Sequence, residues 1–200
     1  MSNNEQQTIR NIIAILNKHG VQSAISAMDN HGKIQGDGNC RFGNLMRKFA
    51  VACIAECKHI VESHRDLINA ISIAKEYADN SVKLSVVSET RKRAENVAFQ
   101  IESDNEASIL SYAAEACVNV LLDDAYEAAN KAQRNVRFAL AKEMARKAIA
   151  ATIVKTRNLS SETLSAIENT AYKTAFNSVQ LMIKGLLQQI LESELKAETA

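Results

Sequence analysis

The feature of this sequence that most limits its fold is the absence of proline from all 200 residues. Proline interrupts helices, because its ring removes a backbone donor and clashes with the preceding turn, and it is frequent in loops and at strand edges. Glycine is scarce too: five of the six glycines fall between Gly20 and Gly43, and the last is Gly185. Residues 44–184 therefore lack both residue types that form most turns, which argues against short strands and favours long helices.

The apolar residues recur at helical rather than strand spacing. Phe42, Leu45 and Phe49, for example, follow one another at steps of three and four residues, which places them on one helix face. Aromatic residues make up only 4% of the chain, so the core has to consist mainly of alanine, leucine, isoleucine and valine. No useful stretch alternates with the period of two that marks a strand. We therefore predict an all-α fold, a single-domain bundle of about seven to eight helices over residues 1–200.

The pattern divides this domain into three parts. They are an N-terminal part with two short helices (5–19 and 21–28) and a glycine-rich loop, a set of core helices, and a long C-terminal helix: residues 1–40, 41–159 and 160–200. The loop is predicted from Asp29 to Cys40, where the glycines permit positive φ. The segment 123–159 is predicted either as one long helix or as two helices that break near 133–135.

Serine residues predict where several helices begin, because a serine hydroxyl can accept a hydrogen bond from the first-turn backbone N–H groups. Ser63 precedes a helical pattern with Asp66 three residues on, and Ser103 is followed by Glu106 in the spacing of a capping box. Ser160 precedes the C-terminal helix, which is predicted over 161–196.

Charge and composition exclude several classes of protein. The net charge of +1 at pH 7 gives no overall attraction to nucleic acid or to a membrane surface. No apolar run reaches the roughly 18 residues of a membrane-spanning helix, and the polar residues 1–7 do not resemble a secretory signal. Four cysteines in such a chain indicate reduced thiols. We therefore expect a cytoplasmic protein without membrane contact, and we predict no cofactor and no bound metal.

One short motif suggests catalytic chemistry. Residues 37–42, Asp-Gly-Asn-Cys-Arg-Phe, resemble the sequence around the nucleophilic cysteine of ovarian-tumour-type deubiquitinating proteases. A cysteine at a helix start has a lowered pKa, because the helix dipole stabilises the thiolate. That family, however, places a histidine late in the chain on a strand, and the four histidines here all precede Arg65. A cysteine hydrolase centred on Cys40 is therefore the third hypothesis, and the alternative is a turn capped by Asp37 or Asn39.

A second cysteine pattern has a structural explanation. Cys53 and Cys57 lie four residues apart with His59 nearby, so they share a helix face. A zinc site would need two further ligands converging on them. They also lie on the same face as Phe49 and Ile60, and a buried free cysteine behaves as a small apolar side chain. We predict that both cysteines belong to the core.

Charge is segregated along the second half of the chain. No basic residue lies between Arg93 and Lys131, whereas the segment from Lys131 to Arg157 contains one acid, Glu143. These blocks either pack against each other or remain solvated, or the basic block meets an acidic partner, which is a protein or a nucleic acid. The candidate partner-binding residues of this basic face are Arg91, Arg93, Arg134, Arg137, Lys142 and Arg146. Within the glycine-rich loop, the candidate contact residues are Asp29, His31, Asp37 and Asn39.

Several segments between Ser23 and Thr156 share a pattern of alanine-rich helices with paired small or cysteine positions. They are Ala-Met-Asp at 27–29, the helix at 45–57, the helix at 66–81 and Tyr-Ala-Ala-Glu-Ala-Cys at 112–117. This pattern resembles the alanine-rich helical proteins of bacteriophages and mobile elements known as Imm5-like immunity proteins. The chain departs from that family in lacking its tryptophans and in adding the helix after Ser160.

The resemblance implies an all-helical, non-catalytic protein that binds and blocks a bacterial protein, such as a toxin or a defence component, in the bacterial host cytoplasm. It supplies no catalytic residues. The sequence leaves two alternatives open: a nucleic-acid-associated helical protein that uses the basic face, and the hydrolase at Cys40. We therefore take a protein-binding inhibitor of phage or mobile-element type as the first hypothesis.

The breadth of the apolar surface on the C-terminal helix generates a prediction about assembly. Hydrophobic residues from Leu181 to Leu187 cover more than one narrow stripe, so this helix either crosses the whole bundle or pairs with a second copy of the chain. For the second case we predict a homodimer through this helix. Light scattering at micromolar concentration should then give twice the chain mass of 21.9 kDa, and a monomer mass would contradict the prediction.

Overall fold

The structure of the chain is a computed structural model that describes residues 3–34, 41–104, 108–155 and 160–197. Throughout these ranges every regular element is helical, which confirms the all-α prediction. The eight α-helices of the described ranges are α1 (Asn3–His19), α2 (Val21–Ile34), α3 (Arg41–Ala55), α4 (Arg65–Ala78), α5 (Leu84–Asp104), α6 (Ile109–Asn119), α7 (Ala125–Lys155) and α8 (Ser161–Lys196). A short 3₁₀ turn, Lys58–Ile60, follows α3.

Helix α7 lies at the centre of the bundle. It packs along α8, α6 and α3, and it also contacts α2. Helices α4, α5 and α6 pack on one another, while α1 packs on α2 and α8, so α7 and α3 connect these two groups. With 31 residues, α7 is about 46 Å long at 1.5 Å per residue.

The segment 123–159 forms one helix where it is described, without the break considered near 133–135. The Asp124 carboxylate begins α7 by accepting a hydrogen bond from the Glu127 backbone N–H at 2.9 Å. Asn135, at the suggested break, donates from its side-chain amide to Glu115 of α6 at 2.8 Å. Because that amide is engaged across the helix interface, it does not compete with the α7 backbone.

The predicted loop from Asp29 is wrong for its first residues, because α2 continues through Ile34. Two contacts favour this longer helix. Lys33 forms an ion pair with Asp29 one turn away at 2.6 Å, and the ring of His31 lies 5.8 Å from that of Phe42 on α3. Residues 35–40, which include the rest of the predicted loop, lie outside the described ranges.

The predicted helix starts at Ser63 and Ser103 are corrected by the structure. Helix α3 ends at Ala55, and α4 is preceded by His64, whose side chain forms no capping hydrogen bond. Ser103 lies inside α5 and donates to the Phe99 carbonyl at 2.8 Å. The serine that caps α6 is Ser108, which accepts from the Ser111 backbone N–H at 2.9 Å. A serine caps a helix only where the backbone at that residue is not helical. The apolar periodicity of the sequence did not show where the helices begin.

The prediction for the last helix is confirmed. Ser160 accepts a hydrogen bond from the Thr163 backbone N–H at 3.2 Å, and α8 then continues for 36 residues. Its buried residues recur mostly every four positions: Ala175, Val179, Ile183, Leu187 and Leu191. This stripe packs on α7, α3, α1 and α2, so α8 crosses the bundle, and much of its apolar breadth is covered within the chain. Leu181 remains 70% exposed, and the homodimer stays a prediction.

Alanine is the commonest buried residue of α6 and α7. The buried alanines of these two helices are Ala113, Ala114, Ala116, Ala128, Ala129, Ala132, Ala139, Ala141 and Ala145. A methyl side chain allows two helix backbones to approach more closely than a leucine does. Protein interiors are close-packed, so they have little free volume for additional atoms.

We predict that Ala132→Leu lowers the free energy of unfolding by about 1–3 kcal/mol, because the extra carbons have to be accommodated in a filled core. Ala132 is fully buried. Ala148→Leu, at an exposed position of the same helix, is the matched control and should change stability by less than about 0.5 kcal/mol. Urea denaturation of both variants measures the difference, and equal effects would contradict close packing at Ala132.

Candidate functional site

An open groove of about 600 Å³ lies across α5, α6 and α7. Because α6 packs on both α5 and α7, it forms the floor, and the other two helices form the walls. We call this the α5–α7 groove. It is lined by Glu95, Ala98, Phe99 and Glu102 of α5, by Tyr112, Glu115, Val118 and Asn119 of α6, and by Lys131, Arg134, Asn135 and Phe138 of α7.

The two walls of the groove carry opposite charge. Glu95 and Glu102 line the α5 wall, and Lys131 and Arg134 line the α7 wall. Among the described residues, no carboxylate lies within ion-pair distance of Arg134, and its guanidinium carbon lies 5.9 Å from the centre of the Phe138 ring. The acidic and basic blocks of the sequence therefore face each other across an open space. Glu95 and Lys131 are each paired within their own helix, whereas Glu102 and Arg134 have no ion pair among the described residues.

Aromatic side chains supply the apolar surface of the groove. Phe99 stands on the α5 wall with 70% of its surface exposed. Tyr112 on the floor and Phe138 on the opposite wall are half-buried, and their ring centres lie 5.3 Å apart. An exposed phenylalanine among polar groups is a frequent anchor for a protein partner, because covering its ring removes apolar surface from water.

The predicted basic face is divided by the structure. Arg134 lines the groove, and Lys142 lies close to it, with its ammonium nitrogen 5.0 Å from the Tyr112 ring centre. Arg146 is exposed one turn further along α7. Together with Lys131, these three residues lie on one sector of α7, because the intervals from Lys131 to Arg134, to Lys142 and to Arg146 are three, eight and four residues in turn.

The remaining predicted cations lie elsewhere. On α5, Arg91 pairs with Glu95 at 2.9 Å and Arg93 pairs with Glu89 at 2.5 Å. Both are ion pairs within α5, so they reduce the positive charge that this helix offers to a partner. Arg137 points away from the groove and stacks on Phe176 of α8, with its guanidinium carbon 4.7 Å from that ring centre.

The predicted loop contacts are only partly described. Asp29 and His31 lie on helix α2 instead of a loop, and both are half-buried. Asp37, Asn39 and Cys40 fall outside the described residues. The structure therefore brings none of these side chains to the α5–α7 groove.

The cysteines within the described ranges are core residues, as predicted for Cys53 and Cys57. Cys53, Cys57 and Cys117 are all buried. Burial raises the pKa of the Cys53 and Cys57 thiols, and it raises that of Cys117 to about 12, because a thiolate is disfavoured away from water. Among the described residues, no group of three or more His, Cys, Asp or Glu side chains is placed to hold a metal ion.

Sequence reasoning missed Phe99, Tyr112 and Glu115 as members of a site. Phe99 carried a usable signal: the buried face of α5 contains Ala94, Ala98 and Ile101, and Phe99 falls one position beside it. A large aromatic residue beside the core stripe of a polar helix indicates an exposed contact. Glu115 carried no such signal in the sequence, because its carboxylate is positioned by a hydrogen bond from Asn135 of another helix.

Comparison with known proteins assigns no family. No family model, no curated protein and no solved structure matches the chain. The likeness to Imm5-like immunity proteins therefore stays a prediction from the residue pattern. Among the described residues, no helix is both long enough and apolar enough to cross a membrane.

Glu143, the single acid of the basic block, is used within the chain. Its carboxylate accepts from His59 at 2.9 Å and from Lys147 at 2.8 Å. Burial by itself raises the pKa of the Glu143 carboxyl, but the hydrogen bonds from Lys147 and His59 outweigh it, and the pKa lies below its ordinary value. These contacts join α7 to the 3₁₀ turn that follows α3.

We predict that Glu143→Gln destabilises the fold at neutral pH by about 0.5–1 kcal/mol, the range of partly exposed ion pairs. A lowered folded-state pKa stabilises the fold above the ordinary glutamate value of 4.5, and this contribution is lost as the pH falls through the folded-state pKa. The difference between wild type and variant should therefore shrink in acid. Denaturation at several pH values measures it, with the exposed Glu168→Gln as control, and a pH-independent difference would contradict the pairing.

Proposed function

We propose that this chain is a non-catalytic binding protein that holds an amphipathic helical segment of a protein partner in the α5–α7 groove. The observation that carries the proposal is the combination in one groove of an exposed phenylalanine, Phe99, with walls of opposite charge. A groove between two helices with a third as its floor has the geometry in which proteins bind an amphipathic helix.

The chemistry of the groove defines the segment that it would bind. Phe99, Ala98 and Val118 offer an apolar strip, which complements leucine-like residues at helical spacing on the partner. An acidic side chain of the partner would face Arg134, and a basic one would face Glu102. Because the two walls differ in sign, the segment would be held in one direction along the groove.

The same charges argue against nucleic acid in the groove. A phosphate backbone bound there would face Glu95, Glu102 and Glu115 as well as Arg134. Part of the basic face is also neutralised by neighbours one turn away, as in the pairs of Lys131 with Glu127 and Lys147 with Glu143. Affinity for nucleic acid depends on the number of phosphates that free cations neutralise. A nucleic-acid-associated protein therefore remains the alternative, and a binding experiment distinguishes the two.

The biological setting of the partner rests on the sequence pattern. The resemblance to Imm5-like immunity proteins favours an inhibitor of phage or mobile-element origin, with a bacterial toxin or defence component as its target. Binding in the groove would block that target by occupying the helical segment that it needs. This part of the proposal is independent of the groove geometry.

The test is capture of a partner by the full chain and by groove variants. We predict that wild type retains a stoichiometric protein from bacterial lysate, and that Phe99→Ser and Arg134→Glu each weaken its retention by about thirtyfold or more, as expected for central interface residues. A photocrosslinker placed at Phe99 should attach to a segment with apolar residues at helical spacing and an acid among them. Quantitative mass spectrometry of the captured protein gives both readouts.

Two matched controls accompany these variants. Leu181→Ser removes a residue with the same exposure as Phe99 outside the groove, and Arg10→Glu reverses an exposed charge on α1 that does not line it. Both should leave capture unchanged. Equal loss in the controls, or capture that survives both groove variants, would overturn the proposal. A salt-sensitive complex with duplex DNA or RNA in place of a protein would instead support the alternative.

A further inference from the structure

A second, smaller cavity of about 210 Å³ lies between α7, α8 and the first turn of α2. Its lining includes Gln133 and Arg137 of α7, Gln180 and Ile183 of α8, and Val21 and Gln22 of α2. We call it the Arg137 pocket. It shares no lining residue with the groove.

Unsatisfied polar groups are concentrated beside this pocket. In the described part of the chain, the buried side-chain atoms without a hydrogen-bond partner are Asn130 Oδ1 and Arg137 Nε. Gln133, which lies between them on the same stripe of α7, is 6% exposed and forms no hydrogen bond with any described residue. Arg137 Nε is itself buried, but no described residue pairs with the Gln133 amide or with the rest of the Arg137 guanidinium, and both residues line the pocket. Asn130 does not line the pocket, so it is not a candidate for binding a ligand there.

Arg137 differs in this respect from another half-buried arginine, Arg47. Arg47 donates to the backbone carbonyls of Leu122, at 2.8 Å, and Asp123, and it stacks on Tyr77. Arg137 also stacks on an aromatic ring but has no acceptor among the described residues. Burial, and next to it the charge of Arg134, lower the pKa of Arg137, and no carboxylate of the described residues offsets them. A half-buried cation without a counter-charge is unfavourable unless an anion binds there.

The first turn of α2 gives the pocket a second positive element. Gly20 has a φ of +86°, which lets α1 stop at His19 and α2 begin at Val21. The backbone N–H groups of a helix's first turn lack acceptors in their own helix and carry a partial positive charge. No acidic residue occupies the first turn of α2. Such a helix start attracts anions, and here it lies beside Arg137 and Gln133.

We infer that the Arg137 pocket is a binding site for a small carboxylate. Arg137 supplies the guanidinium of the pocket, which matches the single negative charge of a carboxylate. The lining also contains the His19 ring and the carboxamides of Gln22, Gln133 and Gln180. The planar guanidinium can also donate two parallel hydrogen bonds to a planar carboxylate. Val21 and Ile183 provide an apolar wall for a short carbon chain. The carboxylate can come from a free small acid or from the end of a peptide. This inference does not rest on the function proposed for the groove.

The test uses ¹⁵N-labelled full-length protein titrated with sodium butyrate. We expect saturable shifts of the Gln133 amide and Arg137 Nε–H signals, which sodium chloride at equal ionic strength does not reproduce. Arg137→Met should weaken butyrate binding by at least about tenfold, because charge-assisted hydrogen bonds are lost. Gln133→Met should weaken it by about threefold or more. Acetyl-dialanine and its C-terminal amide form a second arm: tighter binding of the peptide acid than of butyrate assigns the pocket to a chain end.

Phe99→Ser is the control, since Phe99 is uncharged and lines the groove but not the Arg137 pocket. It should reduce partner capture and leave butyrate binding unchanged, so the two proposals fail separately. Without ligand, Arg137→Met should melt no lower than wild type, because it removes an uncompensated charge. Shifts that do not saturate, that persist in both Arg137→Met and Gln133→Met, or that phosphate or the peptide amide produces equally would overturn the inference. A lower melting temperature for Arg137→Met, together with butyrate binding that Gln133→Met does not change, would show that Arg137 and Gln133 serve only to stabilise the fold. That result would also overturn the inference.

Discussion

The close packing of α7 against α6, α8 and α3 determines the arrangement of the whole bundle. Alanine is the commonest buried residue of α6 and α7, so the two backbones can lie near each other, and the Asn135–Glu115 hydrogen bond joins them. On α7, Arg134 lines the α5–α7 groove, whereas Gln133 and Arg137 line the Arg137 pocket.

Ion pairing decides which charges of the surface remain for a partner. Along α5 and α7, several lysines and arginines pair with a glutamate one turn away, and such pairs contribute little to stability while removing charge from the surface. Arg134 and Arg137 have no carboxylate partner among the described residues. Both stack on phenylalanine rings, which orient a guanidinium without neutralising it. These are the properties of cations that bind an external acid.

The two cavities differ in the ligand that each can accept. The groove is open, has walls of opposite sign and presents Phe99, which suits a long amphipathic segment. The Arg137 pocket has about a third of that volume and combines a guanidinium with carboxamides, which suits a small acid. Arg134 and Arg137 are three residues apart on α7, so they lie on neighbouring sectors of one helix.

Local sequence patterns predict the helical class, the single long helix at 161–196 and its cap at Ser160, because these depend on periodicity along the chain and on the scarcity of glycine and proline. They also identified the acidic and basic blocks that form the groove walls. Tertiary structure decided where helices end and which neighbours cover each face. Helix α2 extends to Ile34, and its His31 contacts Phe42 of α3. Arg137 lies outside the groove because its guanidinium stacks on Phe176, which is distant in sequence. Periodicity gives the angle of a side chain around its own helix, but the partner across the interface is set by packing between distant segments.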